Sequence, residues 1–277
     1  MTTPRVAVVT GAGSGIGREL ALACAREKMA VVISDIETTA LAQTRAMLDA
    51  LGAPCLAQCC DVSNAEDVER LAQASWDKWG GVDWLFNNAG VAVLGNAWDA
   101  TGADWQWVLG VNLMGVVNGV RSFVPRMLSR GASAHVVNTS SAAGLATLAG
   151  SAVYCATKHA VVGFSECLAK DLEQAAAPIR VSVLCPALLP SGIHKSQRNR
   201  PASLAGSGPT ASAYEERVRA GMAASTIHAA DVARMTVEAI HARRFYVIPH
   251  HQTGASVERR TQQILDDFQQ IHQENIQ

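Results

Sequence analysis

The stretch Thr10-Gly11-Ala12-Gly13-Ser14-Gly15-Ile16-Gly17 spaces four glycines at alternate positions. Residues 6–10 form a short apolar run that leads into it, and residues 18–28 have the periodicity of a helix. A second apolar run follows at residues 30–34. A strand, a glycine-rich turn, a helix and a second strand in this order predict a βαβ unit.

The same alternation continues along the chain. We predict further strands at residues 54–58, 84–87, 135–138, 180–184 and 245–248, and helices at residues 65–79, 105–128, 151–173 and 231–243. Strands that alternate with helices form a parallel sheet with helices on both faces. With 277 residues, of which 49% are hydrophobic, the chain suits a single domain, residues 1–277, of this doubly wound α/β class.

Two segments depart from this alternation. Residues 186–226 contain prolines at positions 186, 190, 201 and 209 and several Gly and Ser residues. Long irregular segments often serve as lids, so we expect a substrate lid at about residues 187–226; a partly disordered excursion is an equally open alternative. The polar tail, at about residues 256–277, has apolar residues spaced for a helix that packs onto a neighbour: Ile264, Leu265, Phe268 and Ile271.

Charge and cysteine content exclude several classes of protein. The net charge is −1 with both signs interspersed, which favours a small-molecule substrate over nucleic acid or an anionic membrane surface. The seven cysteines show no CxxC spacing, so we predict reduced thiols, no metal site and a cytoplasmic protein. Residues 1–5 lack the pattern of a signal peptide. Residues 131–157 contain no Asp, Glu, Lys or Arg, but their Ser, Thr and Gly favour strand, loop and helix over a membrane span.

The glycine-rich turn predicts a dinucleotide cradle, because backbone N–H groups and a helix N-terminus bind a pyrophosphate in this context. Asp35 ends the second predicted strand, where a carboxylate accepts hydrogen bonds from the adenosine ribose; an exposed turn carboxylate is the alternative. A carboxylate there repels the ribose phosphate of NADP, and neither Ser14 nor Ser34 supplies a basic partner for that phosphate. We therefore expect NAD, a preference that the nearby Arg18 would weaken.

Tyr154 and Lys158 are four residues apart on a predicted helix and therefore share one face. A Lys ammonium at ~4 Å from a phenol, at an effective dielectric of ~20, contributes about 4 kcal/mol, or roughly 3 pK units. We therefore expect the pKa of Tyr154 to fall from its ordinary value toward the working pH. Tyr154 would then act as an acid/base group, with a surface helix pair as the alternative.

Together these motifs resemble those of the short-chain dehydrogenase/reductase family. The resemblance spans about residues 5–250 and rests on the order and spacing of Thr10-Gly11 with Gly15 and Gly17, Asn87-Asn88-Ala89-Gly90, Asn112, Ser141, Tyr154 and Lys158. It implies a single Rossmann domain and hydride transfer to or from a nicotinamide.

The resemblance also implies catalytic roles. Tyr154 would exchange the substrate proton, with Lys158 beside it. Ser141 would hydrogen-bond the substrate oxygen, and Asn112 would order a proton-relay water. Ser140 adjoins Ser141, and only the thirteen-residue spacing to Tyr154 favours Ser141.

The cofactor contacts that the resemblance implies, together with the cradle residues, are Gly11, Ser14, Gly15, Ile16, Gly17, Asp35, Asp61, Val62, Asn88, Ala89, Gly90, Tyr154, Lys158, Pro186 and Ser191. Among them, Asp61-Val62 is similar to a pair that contacts adenine. The chain departs from the family twice. Pro186-Ala187 replaces the usual Pro-Gly, which implies a displaced backbone near the nicotinamide, and Ser191 replaces a Thr that often contacts the carboxamide.

The residues expected around the substrate carry hardly any charge: 91–94, Ala142, Ala143, Leu148, Leu188, Leu189, Ile193 and Met222. Such a lining favours an apolar or aromatic secondary alcohol or ketone. A non-catalytic dinucleotide sensor and an isomerase or dehydratase that uses tightly held NAD are the alternatives. Because members of the family are commonly tetramers, we expect a homotetramer or a homodimer.

Overall fold

The computed structural model describes residues 4–206 and 211–274. Within them, parallel strands form one seven-stranded sheet in the order β3-β2-β1-β4-β5-β6-β7. The strands are β1 (Val6–Thr10), β2 (Ala30–Asp35), β3 (Cys55–Cys59), β4 (Trp84–Asn87), β5 (Ala134–Thr139), β6 (Ile179–Leu184) and β7 (Tyr246–Val247). The chain starts in the middle of the sheet and extends it first to one side and then to the other. This is the Rossmann topology, and the predicted fold class is confirmed.

The helices lie on both faces of the sheet or extend from it: α1 (Gly15–Arg26), α2 (Thr38–Ala50), α3 (Ala65–Trp79), α4 (Gly102–Leu109), α5 (Gly115–Arg130), α6 (Ala152–Gln174), α7 (Ala211–Ala223), α8 (Ala229–His241) and α9 (Gln252–Glu274). A π-helical turn, Gly110–Met114, joins α4 to α5. The single long helix predicted for residues 105–128 is therefore interrupted by a wider turn.

Successive strand residues face opposite sides of the sheet, and each side has its own core. Ala7 and Val9 of β1 belong to the core formed with α1, α2 and α8. Val6 and Val8 belong to the core formed with α3 and α5. Because both faces are covered, β1 is buried along its whole length, as expected of a strand inside a parallel sheet.

The helical run Gly102–Arg130 is long and apolar enough to match a membrane span by composition, but 61% of its most apolar window is buried inside the protein. Phe123 and Met127 of this run pack into the core beside α3. The run is therefore accounted for as a core helix. All seven cysteines are free thiols, in keeping with the predicted reduced state.

The predicted lid has more regular structure than its prolines and glycines suggested. Tight 3₁₀ turns cover Gly192–Asn199, with a kink at Lys195, and Ala202–Leu204, and α7 follows. The expectation of a long irregular stretch is therefore wrong for these residues, while residues 207–210 lie outside the described part. The physical reason is anchoring: Arg200 forms a buried ion pair of 2.6 Å with Asp104 and lies over the Trp107 ring.

Candidate active site

A cavity of about 460 Å³ opens at the carboxyl edge of the sheet, where the loops after β1, β2, β4, β5 and β6 meet. Every residue predicted above as a catalytic or cofactor-contacting group lines it, except Asn112. Ligands of open α/β sheets bind at this edge, where the strand order reverses. The fold therefore brings the predicted site residues together from all parts of the chain.

The glycine-rich turn packs too tightly for side chains at two positions. Gly11 has φ +64°, and a Cβ atom there would lie 2.7 Å from the Cα of Ala89. A Cβ atom on Gly17 would lie 2.1 Å from the carbonyl oxygen of Gly11. Ser14 begins α1 without a side-chain cap, and no acidic residue occupies the first turn. The N-terminal N–H groups of α1 are thus suited to an anion such as a pyrophosphate.

Asp35 is held at the end of β2 by two backbone donors. Its Oδ2 accepts from Gly13 N at 2.8 Å, and its Oδ1 accepts from Glu37 N at 2.9 Å. Each carboxylate oxygen keeps a lone pair for a ribose hydroxyl. Arg18, in contrast, donates to Thr44 Oγ1 at 3.0 Å and is absent from the cavity lining. The guanidinium of Arg18 also donates to the carbonyl oxygen of Gly13, so it is held beside the glycine-rich turn and α2.

The sequence did not reveal a second charged group at this end of the cavity. Arg198, in the 3₁₀ turns of the lid, donates through Nε to Glu37 Oε1 at 2.9 Å, and Asn199 donates to the same oxygen at 2.8 Å. These hydrogen bonds hold the pKa of Glu37 below its ordinary value. Since Arg198 and Glu37 are 161 residues apart, no local pattern signals the pair. The segment predicted as a lid thus lines the cavity from Leu188 to the loop after β2.

The loop after β4 is tied to β1. Asn88 N donates to Thr10 Oγ1 at 2.9 Å, and Asn88 Nδ2 donates to Thr10 O at 3.0 Å. These bonds bring Ala89 and Gly90 to the cavity wall. On the neighbouring wall, Asp61 accepts from Ser63 N and Ser63 Oγ at 2.9 and 2.7 Å, which fixes the backbone near Val62. Two separate loops therefore shape the adenosine side of the cavity.

Ser141 lies in the loop after β5. Its Oγ accepts from Ala143 N at 3.1 Å and donates to Pro186 O at 3.3 Å, and it lines the cavity together with Tyr154. Ser140 instead donates to the carbonyl oxygen of Lys158 at 2.7 Å and is 1% exposed. The hydroxyl of Ser140 is thus directed at α6, and of the two adjacent serines Ser141 is the one that acts to lower the pKa of Tyr154.

Lys158 and Tyr154 share one face of α6, as expected, with the Lys158 Nζ 5.7 Å from the centroid of the Tyr154 ring. Nζ donates to Thr139 O at 2.9 Å. Burial lowers the pKa of Lys158 to about 8. Burial also raises the pKa of Tyr154 to about 12, which outweighs the opposing hydrogen bond from Ser141. The expected fall in the pKa of Tyr154 is therefore wrong for this structure, because desolvation of the phenolate dominates.

Asn112 lies in the π-helical turn and is fully buried. Its Oδ1 accepts from Val91 N at 2.8 Å, and its Nδ2 donates to Val91 O at 3.0 Å and to Thr157 Oγ1 at 3.1 Å. The side chain therefore joins the loop after β4 to α6 and does not reach the cavity. A relay water would therefore have to bind to the backbone carbonyl of Asn112. The π turn alters the hydrogen bonding of that carbonyl.

The loop after β6 holds the two departures from the family pattern. Pro186 O accepts from Ala142 N at 2.8 Å, and Ala187 N donates to His250 Nδ1 at 3.1 Å. His250 is 1% exposed and was missed by sequence reasoning, since it lies before α9, 63 residues away. Ser191 begins the 3₁₀ turns of the lid, and its Cβ lies 3.6 Å from a Cβ built on Gly15. The lid therefore starts directly against the glycine-rich turn.

The substrate end of the cavity is mainly apolar and includes Val91, Ala92, Leu94, Ala142, Ala143, Leu148, Leu188, Leu189, Ile193 and Met222. Val93, also predicted there, is 6% exposed and packs with Trp107 and Val108 in a separate apolar cluster, because successive residues of an extended segment face opposite ways. Additional lining residues come from α7 and α9 and were not anticipated: Glu215, Val218, Gln252, Thr253 and Ser256.

Comparisons with known proteins agree with this geometry. The family model for short chain dehydrogenases matches residues 5–202. A CLA biosynthesis dehydrogenase/reductase of Lactiplantibacillus plantarum is 31% identical, with 95% of this chain and 94% of that protein covered. The probable oxidoreductase EphD of Mycobacterium tuberculosis is 43% identical over 185 residues, 67% of this chain but 31% of EphD. This chain thus spans about a third of that relative's length.

Among solved structures, a short-chain dehydrogenase/reductase from Burkholderia phymatum in complex with NAD superimposes with a TM-score of 0.93 at 42% identity, covering 96% of this chain and 97% of that one. Since the family model covers more than half of the chain and the likeness in fold is nearly complete, the chain belongs to the short-chain dehydrogenase/reductase family.

Proposed function

We propose that this chain is an enzyme, an oxidoreductase that interconverts a secondary alcohol and a ketone with NAD. One observation carries the proposal: Ser141, Tyr154 and Lys158 line the same cavity as the glycine-rich turn and Asp35. Hydride transfer needs a proton donor or acceptor and a nicotinamide within reach of one substrate carbon. The shared cavity of the proton-transfer residues and the glycine-rich turn supports this proposal.

NAD fits the residues at the glycine-rich end. The uncapped N-terminus of α1 suits the pyrophosphate, and Asp35 offers carboxylate oxygens to the ribose hydroxyls. A ribose phosphate would meet the carboxylates of Asp35 and Glu37, while Arg198 is already paired with Glu37 and Arg18 donates to the Gly13 carbonyl and to Thr44. These contacts favour NAD over NADP. When bound, NAD supplies the acceptor for the hydride.

Tyr154 carries the proton transfer in this proposal. With a pKa of about 12, its phenol is protonated at neutral pH and acts as the acid that protonates the ketone oxygen during reduction. Ser141 hydrogen-bonds the same substrate oxygen. Lys158, charged below its pKa of about 8, offsets the negative charge that forms on Tyr154 when the phenol gives up its proton. In oxidation Tyr154 first gives up its own proton to solvent, and the phenolate then takes the proton of the alcohol.

The apolar lining favours a substrate with an apolar or aromatic body. Leu94, Leu148, Leu188 and Met222 surround the space in front of Tyr154 and Ser141. Binding of an apolar body removes these side chains from water, which favours such a substrate. We therefore propose secondary alcohols with aryl, alicyclic or alkyl substituents as the substrate class.

The test is a screen for NADH formation across such alcohols, with Tyr154→Phe as the matched blank. We expect stoichiometric NADH with the unmodified chain and none above background with the variant. Activity that survives in Tyr154→Phe would contradict the mechanism. Product without net NADH would indicate an NAD-retaining isomerase or dehydratase, and NAD binding without turnover of any alcohol would indicate a sensor.

We also propose that the chain forms a homodimer or homotetramer through α5 and α6. Phe164 and Leu168 of α6 are only half buried, and Met114 and Leu128 beside α5 are each 41% exposed. These residues offer apolar area that a second subunit would cover. Sedimentation of a monomer at micromolar concentration would contradict this assembly.

A further inference from the structure

Helix α7 is seated on the domain by contacts at two points along one of its faces. Tyr214 donates from its hydroxyl to Asn96 Oδ1 at 2.7 Å, and a Cβ atom on Gly150 would lie 2.0 Å from Cδ1 of the Tyr214 ring. Two turns later, a Cβ atom on Gly221 would lie 2.7 Å from Leu188 Cδ1. Because Tyr214 and Gly221 are seven residues apart, they share one face of the helix. These two close contacts fix the rotation of α7 about its own axis.

A second face of α7 lines the cavity. Glu215, Val218 and Met222 belong to that lining, and their spacing of three and four residues places them on one side of the helix. Met222 is 4% exposed, whereas Val218 and Glu215 are partly exposed. The face therefore runs from a buried end at Met222 to a partly open end at Glu215.

Glu215 is the one charged side chain at the substrate end of the cavity among the described residues, with histidine counted as neutral. The other charged residues of the lining lie at the adenosine end or beside the catalytic phenol: Asp35, Glu37, Asp61, Arg198 and Lys158. The rest of the substrate end is mainly apolar, as described above. A single carboxylate therefore determines the sign of the charge that a substrate meets at this end.

The carboxylate of Glu215 makes no hydrogen bond or ion pair with another residue in the described part of the chain. The nearby arginines of α7 do not neutralise it: Arg217 lies over the Tyr214 ring, 4.4 Å from its centroid, and Arg219 is exposed outside the lining. An unpaired charge at the wall of a largely apolar pocket attracts a group of opposite sign and repels one of the same sign.

We propose that Glu215 sets the charge preference for the substrate. It selects secondary alcohols and ketones that carry an ammonium group on the apolar body, remote from the carbinol, and it rejects those that carry a carboxylate there. An ammonium gains an ion pair with the unpaired carboxylate, whereas a second carboxylate meets a like charge. This preference rests on the proposed function, because Glu215 acts on the substrate of the same site. Glu215 is a specificity-determining residue and takes no part in proton transfer.

Three alcohols that differ in one substituent test the preference. Each is a 1-phenylethanol with an aminomethyl, ethyl or carboxylate group in the para position, and the same three groups on a biphenyl body extend the reach. The measured quantity is kcat/KM for NADH formation. In at least one of the two bodies, we expect kcat/KM to fall in the order aminomethyl, ethyl, carboxylate. The reverse order in both bodies, or no dependence on charge in either, would overturn the proposal.

Two matched variants assign the preference to one side chain. Glu215→Gln keeps the size and removes the charge, so the ratio of kcat/KM between the aminomethyl and carboxylate alcohols should fall about tenfold, as expected when one attractive and one repulsive contact of partly exposed charges are lost. Glu216→Gln is the control, because Glu216 is exposed and absent from the lining, and it should keep the ratio. Circular dichroism verifies folding. An unchanged ratio in Glu215→Gln, or an equal fall in both variants, would refute the assignment.

Binding separates this preference from the proposed function. If no alcohol gives NADH, the proposed oxidoreductase activity fails, and calorimetric titration of the same alcohols into the NAD-saturated chain then tests Glu215 alone. We expect the affinity ratio of the aminomethyl to the carboxylate alcohol to be about tenfold larger in the unmodified chain than in Glu215→Gln. Equal ratios in the two proteins would overturn the charge preference whatever the activity.

Discussion

Arg198 donates through Nε to Oε1 of Glu37 at 2.9 Å and so connects the lid to the loop after β2. The same lid segment starts at Ser191 beside Gly15, on the other side of the cleft. The segment predicted as a lid therefore contacts both the glycine-rich turn and the loop after β2. The pair is half exposed, so its strength is modest, within the ~0.2–1 kcal/mol typical of such pairs.

We predict that Arg198→Ala speeds the release of NADH. Loss of the pair removes a contact that must break before the lid opens, so the dissociation rate should rise about two- to fivefold, as ~0.5–1 kcal/mol allows. Stopped-flow fluorescence of NADH measures this rate. Arg234→Ala, which removes a surface ion pair with Glu238 on α8, is the matched control and should leave the rate unchanged. A rate in Arg198→Ala equal to that of the control would argue against the lid contact.

Reduction should lose activity as pH rises above about 8. Lys158 has its pKa lowered to about 8, so its charge is present below that pH and lost above it, while Tyr154, with a pKa of about 12, stays protonated throughout. The value of kcat/KM for ketone reduction should fall across pH 8 to 10, since this quantity reports the groups of the free enzyme. Lys158→Arg keeps the charge and should flatten the decline. A profile that is unchanged by this substitution would exclude Lys158 as the titrating group.

His135 should make the fold less stable in acid. It is 4% exposed, its Nε2 lies 2.8 Å from Ser182 Oγ, and burial lowers its pKa to about 4. In the unfolded chain the His135 pKa is near 6.5, so the unfolded chain binds the proton more readily than the folded one. The contribution of neutral His135 to stability is therefore complete above about pH 6.5 and is lost as the pH drops toward 4.

From pH 7 to pH 5 we expect His135 to contribute a loss of about 2 kcal/mol in the free energy of unfolding. Urea denaturation at both pH values measures it. His135→Asn, which does not titrate, should show a smaller loss between the two pH values than the unmodified chain. An equal loss in both proteins would assign the acid sensitivity to other groups.

His250 should act as a positioning residue for the loop after β6. Its Nδ1 accepts the N–H of Ala187, so His250→Leu leaves a buried donor unpaired, at a cost of about 1–3 kcal/mol in stability. His250→Asn keeps an acceptor near the position of Nδ1 and should recover part of this loss. We expect the Leu variant to have a lower melting temperature and a weaker affinity for NAD than the unmodified chain. Equal behaviour of the Leu and Asn variants would show that the hydrogen bond is unimportant.

Local sequence patterns were sufficient for the sheet and for the cradle. The boundaries of β4 follow from a short apolar run. The turn around Gly11 follows from the glycines that its close packing requires. Both are local properties of the sequence. The pKa of Tyr154 could not be predicted in this way, because it depends on burial by residues distant in sequence. Arg198 and His250 were missed for the same reason, since each acts through a partner on another loop. The hydrogen bonds of the Asn112 side chain to Val91 and Thr157 could not be predicted either, because a π turn has no reliable local signature.

The central position of β1 in the sheet has a consequence for synthesis. Once Asp35 has left the ribosome, β1 and β2 can pair, but the other edge of β1 has no partner until Asn87 completes β4. At 5–20 residues per second, this interval lasts roughly 3–10 s. During it, the nascent chain exposes an apolar strand edge of the kind that promotes aggregation. Expression yield should therefore depend on translation speed between codons 35 and 87 more than on the stability of the finished protein.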